Sequence, residues 1–248
     1  MITRQLISEL STRFQASEQN IAREYCQHLF LSYLYKGKES ERMLFKGGTA
    51  LRIIFNSPRF SEDLDFSAFS LSVENINNLT DAVLAEINKE GIQYEKEVNP
   101  ETQGATTGGY FAIIKLKLLD FDSEIKLQVS LRSNDVLKNN SALVQNEFIP
   151  PYTIIYLTEQ ILVQEKISAL LERAKPRDFF DLYFILRNPT LVKFISFDIN
   201  KLKNKILSII ENGWENELKI FLPISYHPLL KDFRNRLITE IETHIPNN

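Results

Sequence analysis

Two aspartates that stand one residue apart, Asp63 and Asp65, are the residues of this chain whose types and spacing best suit chemistry. In an extended segment alternate side chains point to opposite faces, so both carboxylates lie on one face while Leu64 and Phe66 point into the protein. Mg²⁺ prefers oxygen ligands and commonly takes one or two protein carboxylates together with phosphate oxygens of a substrate. The pair therefore predicts a site for Mg²⁺, or alternatively Mn²⁺, that handles a nucleoside triphosphate.

A glycine pair, Gly47 and Gly48, precedes the aspartates and begins a turn into a predicted helix over 49–55. Glycine has no Cβ, so the chain can turn sharply and phosphate oxygens can approach its N–H groups, while the helix start adds a favourable dipole. We expect Gly47, Gly48 and Thr49 to cradle the β and γ phosphates, with Lys46 beside them. Two alternatives stay open: Thr49 is only a helix cap, and Lys46 only balances surface charge. The same choice applies to Arg52 and Arg59.

A second group of charged residues lies much later in the chain, on a helix predicted over 158–173. Lys166 and Arg173 are two helical turns apart and so lie on nearly the same face. Catalysis of phosphoryl-type transfer is mainly positioning and charge stabilisation, so cations near the triphosphate complement a carboxylate-bound metal. We expect Lys166 to neutralise the triphosphate and Arg173 to contact the nucleotide.

Two further acids, Asp178 and Asp181, interrupt an apolar helix predicted over 177–186. Burial of an unpaired carboxylate is costly, so each acid should have a partner: the Lys166 ammonium, Arg173, the metal shell or backbone N–H groups. We expect these two acids to orient Lys166 or to assist removal of a proton.

Each of these later residues also has a simpler interpretation. Pro176 suits the first position of a helix, so Asp178 would only complement the helix dipole. Asp181 and Arg177 are spaced as a surface ion pair. Lys166 would then be a solvated helix residue. The order in which all the motifs occur is what favours the catalytic interpretation.

The ordered motifs resemble a known family. Gly47-Gly48-Thr49-Ala50-Leu51 and Arg59-Phe60-Ser61-Glu62-Asp63-Leu64-Asp65-Phe66 are similar to motifs of the nucleotidyltransferase superfamily, specifically of the AbiEii/AbiGii toxin family of bacterial abortive-infection and toxin–antitoxin systems. Residues 165–173 followed by Arg177-Asp178-Phe179-Phe180-Asp181-Leu182 resemble a later motif of that family, in which a helical lysine precedes Arg-Asp-x-x-Asp-Leu. The resemblance spans residues 45–186.

This resemblance implies an enzyme that transfers a nucleoside monophosphate from a nucleoside triphosphate to an acceptor hydroxyl on RNA or protein and releases pyrophosphate. It implies as acceptor an RNA end, the 3′ hydroxyl of a tRNA, with growth arrest as the outcome and a cognate antitoxin protein as partner.

One position departs from the superfamily pattern. Gln128 stands where many nucleotidyltransferases have a third carboxylate, and glutamine cannot accept a proton as a carboxylate does. Either Asp178, Asp181 or Glu124 substitutes, or the third carboxylate is dispensable, or activity is impaired. The alternative function is therefore a catalytically degenerate module that binds a nucleotide or an antitoxin.

The patterns predict an α+β fold: a nucleotidyltransferase-like mixed β-sheet flanked by helices, followed by a mainly helical C-terminal region. Strands are expected at 43–46, 62–66, 93–98, 110–119 and 124–131, and helices at 18–35, 49–55, 73–90, 158–173, 177–186, 200–212, 214–221 and 228–244. Consecutive prolines extend neither a helix nor a central strand, so Pro150 and Pro151 mark the expected boundary. It separates a nucleotidyltransferase-like α/β domain, residues 1–150, from a helical domain, residues 151–248, that completes the active-site cleft.

Composition sets the remaining bounds. The chain has 248 residues, 44% of them hydrophobic, which is enough to bury the core of one large or two small domains. A net charge of −3 argues against bulk attraction to nucleic acid, although a local basic cleft could contact RNA phosphates. The one cysteine, Cys26, suits a reducing cytoplasm. No stretch approaches the roughly 18 to 20 apolar residues that span a bilayer, so we expect a cytoplasmic protein without membrane contact.

Overall fold

The computed structural model describes residues 1–99, 109–131, 138–208 and 213–244. The chain divides into two compact units, one of residues 1–56 and 60–157 and the other of residues 57–59 and 158–248. The first unit contains a mixed β-sheet with helices, and the described part of the second is helical, so the α+β fold class is confirmed.

Within the described residues the first unit holds a seven-stranded sheet in the order β3-β4-β5-β2-β1-β7-β6. Its strands are Met43–Lys46 (β1), Asp63–Ala68 (β2), Gln93–Val98 (β3), Gly109–Leu118 (β4), Phe121–Leu131 (β5), Asn139–Val144 (β6) and Tyr152–Leu157 (β7). The pairs β2–β5 and β1–β7 are parallel, and the other neighbours are antiparallel. Strand β2, which carries the aspartates, is therefore central.

The prolines 150 and 151 lie in the connection between β6 and β7, which pair with each other. Because β7 also pairs with β1, residues 152–157 belong to the sheet. The first compact unit accordingly extends to Leu157, seven residues beyond the boundary expected at residue 150.

Four helices of the first unit are Arg4–Phe14 (α1), Glu18–Leu34 (α2), Gly47–Phe55 (α3) and Val73–Lys89 (α4). Ser17 caps α2 by accepting a hydrogen bond from the N–H of Asn20, and Ser72 and Asn75 form a reciprocal capping box at the start of α4. Helix α3 begins at Gly47, two residues earlier than predicted. The glycine turn is thus the first turn of the helix itself.

The second unit contains Glu159–Glu172 (α5), Pro176–Arg187 (α6), Ile199–Leu207 (α7), Trp214–Lys219 (α8) and Phe233–His244 (α9), with 3₁₀ turns at Val192–Phe194 and Ile224–Asp232. Aromatic residues form its core: Phe179 packs on Trp214 with ring centres 4.5 Å apart, and Phe180 stacks on Phe233. The helix predicted over 228–244 begins later, after the 3₁₀ turn. The end of the one predicted over 200–212 falls on residues 209–212, outside the described residues.

None of the helices among the described residues is both long enough and apolar enough to cross a bilayer.

Candidate active site

Strand β2 presents its aspartates as the sequence predicts. Leu64 and Phe66 are fully buried, whereas Asp63 and Asp65 alternate with them and are partly exposed. Asp65 is level with Lys46 on β1 and with Gln128 on β5. Residues in register on adjacent strands project from the same face. Lys46, Asp65 and Gln128 therefore form a row across three strands, with Asp63 on the same face.

Gly47 lies directly against Asp65. Its φ of +84° is in the left-handed region, which favours glycine. A Cβ built on Gly47 would lie 2.1 Å from the Asp65 Oδ2 atom and 2.8 Å from its Cβ. The carboxylate thus occupies the space of the missing side chain, at the first residue of α3.

The start of α3 has no side-chain cap, since Lys46 at the N-cap position makes no capping hydrogen bond. The first N–H groups of a helix have no acceptor within the helix. Thr49 is buried, and its hydroxyl donates a hydrogen bond to the backbone carbonyl of Asp63. Thr49 therefore ties α3 to β2, and its contribution to a phosphate site would come from its backbone N–H.

In the second unit, Asp181 is the centre of a buried ion cluster. Its carboxylate accepts hydrogen bonds from Arg59 Nε at 2.9 Å and Nη2 at 3.1 Å, and from Lys166 Nζ at 2.7 Å. Asp181 is 1% exposed, and the Lys166 side chain 12%. Of the alternative partners expected for the two acids, Asp181 has the Lys166 ammonium, and it has Arg59 in addition.

Two cations, Arg59 and Lys166, surround the carboxylate of Asp181. Burial alone would raise the pKa of Asp181, but the Arg59 guanidinium and the Lys166 ammonium outweigh it and hold that pKa below its ordinary value. Asp181 is therefore a weak base that fixes Lys166 in position.

Asp178 has a different set of partners. It accepts hydrogen bonds from Arg173 Nε at 3.0 Å and Nη2 at 2.8 Å, and from the N–H of Lys175 at 3.0 Å. Pro176 is the first residue of α6, so Asp178 is in its first turn, as the simpler interpretation of the sequence predicts. Asp178 thus holds the turn between α5 and α6, and Arg173, half-exposed, is its ion-pair partner.

The two arginines that the sequence left open are both in internal ion pairs. Arg59 belongs to the Asp181 cluster described above. Arg52 binds Glu24 through Nε at 2.6 Å and Nη2 at 3.2 Å and lies over the ring of Phe60. Sequence reasoning missed the contact of Arg59 because its partner lies 122 positions away. The one available signal was that a buried aspartate in an apolar helix needs a cation.

The donor atoms of the first unit fit a hard divalent cation. Asp63 and Asp65 offer carboxylate oxygens and Gln128 an amide oxygen. An all-oxygen set suits Mg²⁺ better than zinc, whose protein sites are built mainly on histidine nitrogen and cysteine sulfur. In the described part of the chain, three or more His, Cys, Asp or Glu side chains do not gather into a metal-binding group. Glu124 lies on the same face of β5 but beyond the level of Asp63, and forms an ion pair with Lys126 at 3.8 Å.

Solved structures share this fold. A candidate nucleotidyltransferase from Helicobacter pylori superposes with a TM-score of 0.67 at 20% identity, over 92% of this chain and 95% of that one. JHP933 from Helicobacter pylori gives 0.65 at 19%, over 92% of each chain. MenT4, a nucleotidyltransferase toxin from Mycobacterium tuberculosis, gives 0.64 at 17%, over 100% of this chain and 91% of that one. At these identities the likeness establishes the fold.

Sequence comparison gives the family. Among curated proteins, none is significantly similar to the chain. The family model described as nucleotidyl transferase AbiEii toxin, type IV toxin–antitoxin system, matches residues 29–236, which include the glycine turn, the aspartate pair and the α5–α6 motif. The chain therefore belongs to the AbiEii family of nucleotidyltransferase toxins of type IV toxin–antitoxin systems.

Proposed function

We propose that this chain transfers a nucleoside monophosphate from a nucleoside triphosphate to the 3′ hydroxyl of a tRNA, in the cytoplasm, as the toxin of a toxin–antitoxin or abortive-infection system. The main support for the proposal is the contact of Asp65 with Gly47. It places a carboxylate that can bind a metal ion next to a helix start that has no side-chain cap. A cognate antitoxin protein would restrain the activity.

Asp63 and Asp65 would hold the metal ion, Mg²⁺ or alternatively Mn²⁺. When bound, such an ion offsets phosphate charge and lowers the pKa of the attacking hydroxyl. The backbone N–H groups of Gly47, Gly48 and Thr49 would bind the β and γ phosphates, since a helix start favours anions. Lys46, in register with Asp65, adds a positive charge to the same row.

Lys166 would neutralise the triphosphate, held in place by Asp181 and Arg59. The cluster suits this role because the Asp181 carboxylate, itself bound by Arg59, holds the Lys166 ammonium at 2.7 Å. Asp178 and Arg173 would act indirectly, because they hold the turn between α5 and α6 in place.

In the reaction, the acceptor oxygen bonds to the α phosphorus as the bond from that phosphorus to the bridging oxygen of the β phosphate breaks. Pyrophosphate leaves with the electron pair. Gln128 would accept a hydrogen bond from the acceptor hydroxyl without taking its proton, and the low pKa of Asp181 makes that residue a poor acceptor too. We propose that solvent water accepts the proton of the acceptor hydroxyl.

The test is transfer of label to RNA. Purified protein, Mg²⁺ and total bacterial RNA are incubated with each nucleoside triphosphate labelled at the α phosphate. We expect label on RNA of tRNA size, lost when the 3′ ends are first oxidised with periodate. The same triphosphates labelled at the γ phosphate should leave RNA unlabelled. Absence of label from RNA with all four nucleotides would overturn the proposal, and label on protein instead would overturn the choice of acceptor.

One observation favours a second function, a degenerate module that binds a nucleotide or an antitoxin without turnover. Gln128 is level with Asp65 on the neighbouring strand, at the place expected for a third carboxylate. Calorimetry that shows triphosphate binding together with no transfer of α label would select this alternative.

A further inference from the structure

A pocket of about 440 Å³ lies in the first unit, lined by the last turn of α3 rather than by its glycine start. Its other walls come from the end of α1, from α2 and from residues 145–148, which connect β6 to β7. The two ends of α3 are roughly 12 Å apart, at 1.5 Å per residue. The pocket is therefore separate from the row of Lys46, Asp65 and Gln128.

Three polar side chains of this pocket are well buried. Glu24 on α2 and Arg52 on α3 form a two-bond ion pair, with side chains 7% and 15% exposed. His28 is one helical turn beyond Glu24 and is 4% exposed. Burial and the nearby Arg52 guanidinium lower the pKa of His28 to about 3, so the ring is neutral at physiological pH. These three groups together carry no net charge.

The hydrogen bonds of His28 indicate what it offers a ligand. Its Nδ1 lies 2.9 Å from the hydroxyl of Tyr152, which is 8% exposed. A buried hydroxyl needs an acceptor for its hydrogen, so Tyr152 donates to Nδ1 and the ring proton of neutral His28 is on Nε2. Within the described residues no hydrogen bond to Nε2 is found, although the histidine lines the pocket. Within the described residues, the Nε2–H of His28 is thus a pocket donor without a hydrogen-bond acceptor.

Aromatic and acidic groups complete the pocket. Phe14 and Phe148 are partly exposed in its wall, and the Phe148 ring centre is 5.3 Å from that of His28. Each Glu24 carboxylate oxygen has lone pairs beyond those used by Arg52. Asn146, also in the wall, has a buried Nδ2 without a hydrogen-bond partner in the described part of the chain and so adds a second N–H donor. Flat apolar walls, the N–H donors of His28 and Asn146 and a carboxylate acceptor suit a flat, uncharged ring that carries a carbonyl beside an N–H group.

We propose that this pocket binds a nucleobase. A nucleobase presents a carbonyl for His28 and an N–H or amino group for Glu24, and its faces can pack against Phe14 and Phe148. The indole of tryptophan has no acceptor and would leave His28 Nε2–H unmatched, and the single hydroxyl of tyrosine cannot serve both His28 and Glu24 as a carbonyl beside an N–H group does. Both points disfavour an inserted aromatic side chain of a partner protein. The volume lies within the roughly 300–1,000 Å³ of small-molecule pockets.

The experiment measures binding of the four ribonucleosides by calorimetry or saturation-transfer NMR. Nucleosides carry no phosphate, so the result does not depend on the proposed transfer reaction. We expect one nucleoside to bind at roughly millimolar concentration or below. Gln145→Trp, at an exposed residue of the pocket rim, should weaken binding at least tenfold, and so should His28→Phe, which removes the donor.

Two matched controls should bind as the native protein does: Ser141→Trp, at an exposed position of β6 outside the pocket, and Asp65→Asn, in the proposed metal site. If His28→Phe does not fold, as judged by circular dichroism, Gln145→Trp alone decides. Failure of every nucleoside to bind would overturn the proposal, and so would phenol or indole binding as tightly. A short single-stranded RNA, compared with the matching nucleoside monophosphate, then shows whether the base comes from a nucleic acid or a free nucleotide.

Discussion

The carboxylate of Asp65 occupies the place that a side chain on Gly47 would need. A Cβ there would be 2.1 Å from Asp65 Oδ2, closer than any non-bonded contact allows, and the backbone at Gly47 has a φ of +84°. Glycine is thus required at this position for two reasons: the backbone conformation is left-handed, and the Asp65 carboxylate fills the space that a side chain would need. The motif that begins with this glycine and the motif that contains the aspartate pair are therefore one structural unit.

Gly47→Ala should abolish nucleotide transfer, because the new methyl group must displace Asp65. The left-handed conformation should also reduce stability by roughly 1–2 kcal/mol. Label transfer to RNA and thermal unfolding measure the two effects. Gly91→Ala is the matched control: its φ is +85°, but the nearest atom to its Cβ is Met1 Sδ at 4.0 Å. It should show a similar stability loss and retain transfer, and equal activity of the two variants would contradict the role of the contact.

Gln128→Glu should increase transfer. The residue is level with Asp65 on the adjacent parallel strand, so a carboxylate there would join the same face and could accept the acceptor's proton. A positioned general base contributes roughly 10²–10⁴-fold, and we expect a gain of at least about tenfold since solvent already takes the proton. Rates are measured across a Mg²⁺ titration. Gln128→Ala, which adds no acid, should show no gain. A decrease with glutamate would indicate that the amide itself is needed.

The sequence predicted the centre of the sheet well because local patterns determine it. Alternation along 124–131 gives β5, and the same alternation places Asp63 and Asp65 of β2 on one face. Strands β6 and β7 were not predicted. β6 is mostly exposed at the sheet edge, and the apolar run of β7 follows two prolines that suggested a domain boundary.

The site was predictable in its residue types but not in its pairings. The need of Asp178 and Asp181 for partners follows from their apolar helix. The identity of the cation that pairs with each acid does not follow from the sequence. Arg59 is distant in sequence and could not be distinguished from Arg52 as a surface charge. Long-range ion pairs depend on tertiary structure, and a single sequence carries no local pattern for them.

Lys166→Met should reduce transfer strongly and stability weakly. Asp181 would keep its two bonds to Arg59, so the carboxylate remains paired and the unfolding free energy should fall by about 1.5 kcal/mol, the low end for a hydrogen bond to a charged group. Loss of a cation that stabilises transferred phosphate charge should lower the rate by roughly 10²–10³-fold. Steady-state transfer and urea unfolding provide the comparison.

Arg59→Met should reduce the unfolding free energy more than Lys166→Met does. It removes the cation with two bonds to a carboxylate that is 1% exposed. Breaking a buried ion pair by removing one partner costs about 3–5 kcal/mol. We expect a loss near the lower value because Lys166 still pairs with Asp181. A larger loss of stability for Lys166→Met than for Arg59→Met would contradict the cluster as described.

Asp178→Ala should affect stability and leave transfer by the folded protein little changed. The substitution removes the acceptor for the Lys175 N–H at the start of α6, a loss that typically costs about 0.5–2 kcal/mol. Arg173 is half-exposed and can be hydrated instead. Transfer rates are normalised to the folded fraction measured by circular dichroism. A rate loss as large as that of Lys166→Met would show that Asp178 takes part in the reaction.

Protein stability should fall as the pH decreases below about 6.5, because of His28. The unfolded chain takes up a proton near the ordinary histidine pKa of 6.5, whereas the folded protein does so only near the lowered pKa of about 3. Between these values the unfolded state binds more protons, so this contribution is complete above pH 6.5 and shrinks as the pH falls, by about 2 kcal/mol at pH 5.

His28→Phe removes the titrating group, so its urea-unfolding free energy should depend less on pH between 5 and 7 than that of the native protein. The difference between the two slopes isolates His28 from the carboxylates, which both proteins share. A histidine with its ordinary pKa would give equal slopes. That result would also remove the basis for placing the ring proton of a neutral His28 on Nε2, and with it the donor proposed for the nucleobase pocket.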